Sequence, residues 1–109
     1  MARTALPSKV KKNIDEYINA LKKDKIPIDK AYLFGSYAKG KQHKCSDIDL
    51  CIISSQFKDP WETLQYLWSK RLHNDGITIE PVGSSPESFQ DWIPLVREIK
   101  RSGKQILEK

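Results

Sequence analysis

The segment Asp47-Ile48-Asp49-Leu50-Cys51-Ile52-Ile53 constrains this chain more than any other. Acidic and apolar residues alternate and then give way to an uninterrupted apolar run, which is the pattern of a strand facing a core. Strand side chains project alternately to opposite faces, so Asp47 and Asp49 share one face while Ile48, Leu50 and Ile52 enter the core on the other. Two carboxylates about 6 to 7 Å apart along one strand repel each other, which raises one pKa unless a cation lies between them. A divalent metal removes that conflict.

A second signal precedes this strand. Lys30-Ala31-Tyr32-Leu33-Phe34 is short and apolar and is cut off by Gly35-Ser36, as expected of a buried strand entering a tight turn. Glycine at 35 lets backbone approach a ligand closely. Ser36 stands where a strand hands over to a helix start, whose free N–H groups point at an anion. The turn is therefore a candidate phosphate seat. Mg2+ prefers oxygen ligands and is usually held by one or two carboxylates plus substrate phosphates, which is what an aspartate pair beside such a turn offers. Glu80 lies on the strand-like run Ile77-Thr78-Ile79-Glu80-Pro81-Val82, expected to neighbour the Asp47 strand. There it adds a third carboxylate to the same face, as a metal ligand or as the general base for an acceptor hydroxyl. A lone Gly-Ser is usually only a turn, and a lone Asp-x-Asp only a solvated strand end. The conjunction of the two, with residues 37–46 between them, carries the chemical reading.

The remaining segments supply a frame. Val10, Ile14, Ile18 and Leu21 recur at helical spacing over Ser8 to Leu21, the helix is expected to end in the charged run Lys22-Lys23-Asp24-Lys25, and Pro27 cannot continue it. Residues 37–46 are expected to form a short helix and a loop. Asp59-Pro60-Trp61-Glu62 is a helix start, predicting a helix from Pro60 to about His73 with Leu64, Leu67, Trp68 and Leu72 as its apolar stripe. Pro81 suggests an edge or a strand end for the third strand. Ser85-Pro86-Glu87 predicts another short helix, and Pro94 to Ser102 a last one, with Gly103 as its stop signal. The fold class is thus α/β (α+β): a small mixed sheet with helices packed on one face, the acids on the other and an open cleft.

Size and charge narrow the function. At 109 residues and 39% hydrophobic, residues 1–109 are expected to be one compact domain with a modest core that needs no disulfide staples. Nineteen Lys and Arg against fourteen Asp and Glu give a net charge of +5, which favours an anionic partner: nucleotide, nucleic acid or an acidic protein. Cys45 and Cys51 have neither zinc-site spacing nor disulfide density and are read as reduced thiols. With no apolar segment of signal-peptide or membrane-spanning length, the expected location is the cytoplasm and no membrane contact is expected.

Phe34-Gly35-Ser36 followed by Asp47-Ile48-Asp49-Leu50 and a later strand acid resembles the nucleotidyltransferase superfamily built on the DNA polymerase β-like palm. The size resembles its minimal nucleotidyltransferases. Ile79-Glu80-Pro81-Val82, Ser85-Pro86-Glu87-Ser88-Phe89 and Pro94-Leu95-Val96-Arg97-Glu98-Ile99 look like that group's third-strand region and C-terminal helix. The resemblance implies that Gly35 and Ser36 hold the triphosphate of ATP, that Asp47 and Asp49 bind Mg2+ at one or two sites, and that Glu80 completes the acidic triad where the family often has Asp. It implies transfer of AMP from ATP with loss of pyrophosphate. It also implies a small all-helical HEPN partner in a toxin–antitoxin pair, with the nucleotidyltransferase as antitoxin modifying a tyrosine of the toxin.

Neighbouring residues have two readings each. Lys39, Lys41, His43 and Lys44 either steer the triphosphate or form a solvated loop. Ser46 fixes the loop before the acidic strand or hydrogen-bonds a carboxylate, and Tyr37 either touches the nucleotide or is itself modified. Trp61, Trp68 and Trp92 are core residues or partner-interface anchors rather than base-stacking platforms. Two other functions compete: a binding module neutralising its partner by contact alone, and nucleotide transfer to RNA or a small molecule. Nucleic acid is the less favoured partner, because no recognition domain is appended. Self-association is left open.

Overall fold

The computed structural model describes residues 8–35, 47–71, 73–74 and 77–108. The elements in chain order are α1 (Ser8–Lys23), β1 (Lys30–Phe34), β2 (Ile48–Ile53), α2 (Pro60–Ser69), β3 (His73–Asn74), β4 (Ile77–Ser84), α3 (Pro94–Ser102) and β5 (Lys104–Glu108). The strands form one mixed sheet in the order β3-β4-β2-β1-β5. Strand β1 is antiparallel to both β2 and β5, β2 and β4 are parallel, and β3 is antiparallel to β4.

One face of the sheet carries the main core. Ala31 and Leu33 of β1, Ile48, Leu50 and Ile52 of β2, and Ile79 of β4 are buried against Val10, Ile14, Tyr17, Ile18 and Leu21 of α1 and Leu67 of α2. These are the alternate positions of the strands and the 3.6-residue stripe of α1, so the two periodicities interlock as the sequence implies. Gly83 sits where α2 crosses β4: a Cβ there would fall 2.5 Å from Thr63 Cγ2 and 2.7 Å from Leu67 Cδ1, so the helix rests directly on bare backbone. The hydroxyl of Tyr17 donates to the Leu67 carbonyl at 2.7 Å and ties α1 to α2. Burial in that seam pushes the phenol's pKa well above its ordinary value.

Several expectations change. The end of helix α1 is not one of them: it falls at Lys23, within the charged run Lys22-Lys23-Asp24-Lys25. Lys25 adopts left-handed backbone (φ 65°), and the Ile26 and Lys25 amides donate back to the Leu21 and Lys22 carbonyls, a Schellman closure. Helix α2 starts as expected, with Asp59 Oδ1 accepting from the Trp61 and Glu62 amides, but it stops at Ser69 rather than near His73. His73 and Asn74 pair with Thr78 and Ile77, and that ladder takes the chain out of the helix. Its buried residues are Thr63 and Leu67, whereas Leu64 and Trp68 face outward. Pro81 lies inside β4 rather than at its end. Its carbonyl accepts from Trp68 Nε1 at 3.1 Å, away from β2, so the missing N–H falls on the strand's open side, as an edge proline requires. Residues 86–88 form a hydrogen-bonded turn, with the Ser88 amide donating to the Ser85 carbonyl, rather than a helix. After α3 the chain continues into β5, an unexpected fifth strand.

The expectation of helices on a single face holds for α1 and α2. Helix α3 goes to the other face, where Ile99 is buried with Cys51 and Ile53 of β2, and where Tyr32, Phe34, Val82 and Phe89 pack around them. The reason lies in β2 itself. Beyond Asp49 its second face turns apolar at Cys51 and Ile53, and that surface needs cover. Cys51 is a free, buried thiol whose pKa burial pushes up to about 12, while Cys45 and the expected short helix at 37–46 lie outside the described residues. Among the described residues no helix is long and apolar enough to cross a membrane.

Candidate active site

The face that α3 leaves uncovered is the end of the sheet where β1 finishes and β2 begins. Register assembles the site there. Phe34 pairs with Asp49 across the antiparallel β1–β2 ladder, and Asp49 pairs with Glu80 across the parallel β2–β4 ladder. Directly paired residues present their side chains on the same face. Asp47, one residue before β2 and exposed, completes the group.

Gly35 follows β1 in left-handed backbone, φ 77°. A Cβ built there would lie 2.1 Å from Asp49 Oδ2 and 3.0 Å from its Cγ. The Asp49 carboxylate therefore rests against the bare backbone of the turn, and both backbone angle and space require glycine at that position. The sequence motif brings the turn and the acid into contact, although ten residues and more separate them along the chain.

Glu80 is within hydrogen-bonding reach of both Asp47 and Asp49, so the three carboxyl groups form one cluster. The Glu80 pKa is raised first by burial, then by the Asp47 charge and the bond to Asp47, and then by Asp49. Burial also raises the pKa of Asp49, the nearby Asp47 charge adds to this, and the hydrogen bond with Glu80 partly offsets it. The cluster therefore concentrates negative charge on one face, which favours a bound cation. Its donors are all oxygen, the chemistry Mg2+ takes. Among the described residues no three His, Cys, Asp or Glu side chains are arranged to hold a metal ion unaided. A cation at the acids would thus take further oxygens from water or phosphate, as Mg2+ usually does.

Of the residues singled out from sequence, Gly35, Asp47, Asp49 and Glu80 are brought together. Ser36, Lys39 and Ser46 lie outside the described residues, as do Tyr37, Lys41, His43 and Lys44. The sequence reading missed the far half of the acid face. There Tyr32 stacks on Phe89 (centroids 5.6 Å apart, planes 13° apart) beside a cavity of about 400 Å3 that Lys100 also lines. The available signal was the parity of β1: Tyr32 and Phe34 alternate with the buried Ala31 and Leu33 and so need a second apolar layer.

The three tryptophans are not core residues. Trp61, Trp68 and Trp92 are 65%, 44% and 77% exposed.

Comparison with known proteins agrees with this geometry. Residues 13–109 match the family described as polymerase beta, nucleotidyltransferase. The chain is similar to the protein adenylyltransferase MntA of Shewanella oneidensis, 43% identical over 53 residues, which cover 45% of this chain and 38% of that protein. It thus spans well under half the length of that relative. A provisionally named protein adenylyltransferase of Methanocaldococcus jannaschii is 38% identical over 83 residues, covering 75% of this chain and 80% of the relative. Among solved structures, a toxin–antitoxin complex with AMP-PNP superposes with a TM-score of 0.56 at 30% identity, covering 87% of this chain and 73% of that one. A complex of tri-AMPylated Shewanella oneidensis HEPN toxin with its MNT antitoxin gives 0.55 at 26% identity, covering 91% and 72%. With a match over nearly its whole length and the acid cluster assembled around a glycine turn, the chain belongs to the polymerase β-type nucleotidyltransferase family.

Proposed function

We propose that residues 1–109 act as one nucleotidyltransferase domain that moves AMP from ATP to a hydroxyl, a tyrosine, of a small helical HEPN partner, and so serves as the antitoxin of a toxin–antitoxin pair. The observation that carries this reading is the convergence of Asp47, Asp49 and Glu80 on the face bounded by Gly35. The MntA name, the AMP-PNP complex and the AMPylated HEPN toxin among its relatives support the donor and the acceptor.

The roles follow from placement. The bare turn at Gly35, continued by Ser36, seats the triphosphate, with Lys39 and Ser46 as further nucleotide contacts. Asp47, Asp49 and Glu80 would hold Mg2+, which supplies charge neutralisation and polarisation at the phosphates when bound. The acceptor oxygen bonds to the α-phosphorus as the bond to the β-phosphate oxygen breaks. Pyrophosphate leaves, and the hydroxyl's proton passes to a carboxylate, Glu80 in this reading. Nothing in this chemistry needs a nucleophile from the chain.

The test is transfer of α-labelled ATP with Mg2+ in the presence of a co-expressed helical HEPN-type protein. Label on a tyrosine of that protein, lost in Asp49→Asn, is the expected result. Label on RNA instead, or neutralisation that survives Asp47→Asn with Asp49→Asn and no label, would overturn it.

A further inference from the structure

Helix α2 presents to solvent the kind of surface that most helices bury. Trp61, Leu64 and Trp68 are spaced i, i+3 and i+7, so they form one stripe along the helix, and they are 65%, 39% and 44% exposed. Of the ten residues Pro60–Ser69 only Glu62 is charged, in a chain that is 30% charged. The outer face of α1, by contrast, carries Lys9, Lys11, Lys12, Asp15 and Glu16. Exposed aromatic residues on a surface stripped of charge are the composition of an interface core.

The stripe ends at the edge of β4, across the sheet from the acids. Trp68 Nε1 donates to the carbonyl of Pro81, the residue after Glu80, so this end of α2 reaches the open side of β4. The Arg71 guanidinium lies 4.1 Å over the Trp68 ring, with its Nε buried. The apolar stripe thus terminates in a cation, whose charge favours an acidic group on whatever covers it.

We propose that the Trp61–Leu64–Trp68 face of α2 is the docking surface for the acceptor protein, which lays an apolar helix along it and sets a carboxylate against Arg71. This rests on the adenylyltransferase reading above and adds the surface that delivers the acceptor. A chain seated there brings its hydroxyl over the edge of β4 to Glu80. The surface also explains how a catalytic domain this small selects a protein substrate: affinity comes from α2, and chemistry from the opposite face of the sheet.

The test uses the full chain with Trp61→Glu and Leu64→Glu together, both at solvent-facing positions, and Trp61→Ser alone as a milder variant. Binding of the co-expressed helical protein should weaken at least tenfold in the double variant and less in the single. Labelling of that protein should fall at low partner concentration and recover at saturating concentration, a KM effect, with binding of ATP and Mg2+ unchanged. If the double variant binds and labels the partner like wild type while Asp49→Asn is inactive, the docking surface is refuted and the enzymatic reading stands. If the wild-type chain neither binds nor labels the helical protein, both fall. If the substitutions instead split a wild-type dimer and leave labelling intact, the face belongs to a second copy and the proposal is wrong.

Discussion

Asp49 Oδ2 occupies the space that a side chain at Gly35 would need: a Cβ there would lie 2.1 Å away. The acid and the turn are thus one unit, and Gly35→Ala disturbs both. The backbone at φ 77° costs an L-residue about 1 to 2 kcal/mol, and the clash moves the Asp49 carboxylate off its seat. Nucleotide transfer should fall at least about 100-fold while the protein remains folded, because a small misplacement of a reacting group is enough for such a loss. Labelled-ATP assays beside circular dichroism would check it. Near wild-type activity would show that the turn is not tied to the acids.

The carboxyl cluster makes a signed prediction about stability. Asp49 and Glu80 both have raised pKa values in the folded chain, so folding favours their protonated forms. That contribution is fully present below their unfolded values, about 4, and is lost as pH rises through the higher folded values. In metal-free buffer, wild type should therefore lose stability between about pH 4 and neutrality relative to Asp49→Asn with Glu80→Gln. Mg2+ at neutral pH should raise the melting temperature of wild type and leave the double variant unmoved. Thermal melts across pH, with and without EDTA, read both effects. Parallel pH curves would show that the two carboxyl groups are not perturbed by folding.

How much of this was legible in the sequence depends on the range of the interaction involved. Strand β2 and the opposed faces of Asp49 and Leu50 follow from local alternation, and β1 and α1 follow from equally local periodicity. Glu80 was placed on the right face by parity, but its pairing with Asp49 is a parallel register set by packing across a crossover. Local signals misled where long-range pairing won. The apolar spacing of α2 runs on to Leu72, yet His73 and Asn74 are drawn into β3 by Thr78 and Ile77. Strand β5 was missed because Lys104-Gln105-Ile106-Leu107-Glu108 is short and polar at both ends, and it becomes a strand through β1. The exposure of Trp61 and Trp68 was also hidden, since a stripe at helical spacing has the same pattern whether it faces a core or a partner.

Tyr17 tests the seam between the two core helices. It is fully buried, and its hydroxyl donates to the Leu67 carbonyl. Tyr17→Phe keeps the ring and deletes that bond. The carbonyl keeps only a longer contact from the Lys70 amide, at 3.3 Å. The cost should be about 1 to 1.5 kcal/mol, and for a domain of this size the melting temperature should drop by about 4 to 8 °C. Nucleotide transfer should be unchanged at temperatures where the variant is folded, because the seam lies on the opposite face of the sheet from the acids. Equilibrium denaturation and a transfer assay at low temperature would check the two halves.

Lys25 offers the opposite sign. It closes α1 in left-handed backbone at φ 65°, where its amide donates to the Lys22 carbonyl at 2.9 Å and the Ile26 amide donates to the Leu21 carbonyl at 3.2 Å. The closure uses the lysine's backbone, and its side chain is exposed. Glycine adopts this conformation without the Cβ penalty that lysine bears, at the expense of a more flexible unfolded chain. The penalty is about 1 to 2 kcal/mol and glycine's extra entropy is smaller, so Lys25→Gly should stabilise the fold by about 0.5 to 1 kcal/mol. Lys25→Ala keeps the Cβ and so keeps the strain. It should therefore leave stability within about 0.5 kcal/mol of wild type, as at an ordinary surface position. Chemical denaturation of the three proteins separates backbone from side chain: a gain in both variants would assign the cost to the lysine's charge among Lys22, Lys23 and Lys30, and a gain in glycine alone assigns it to φ.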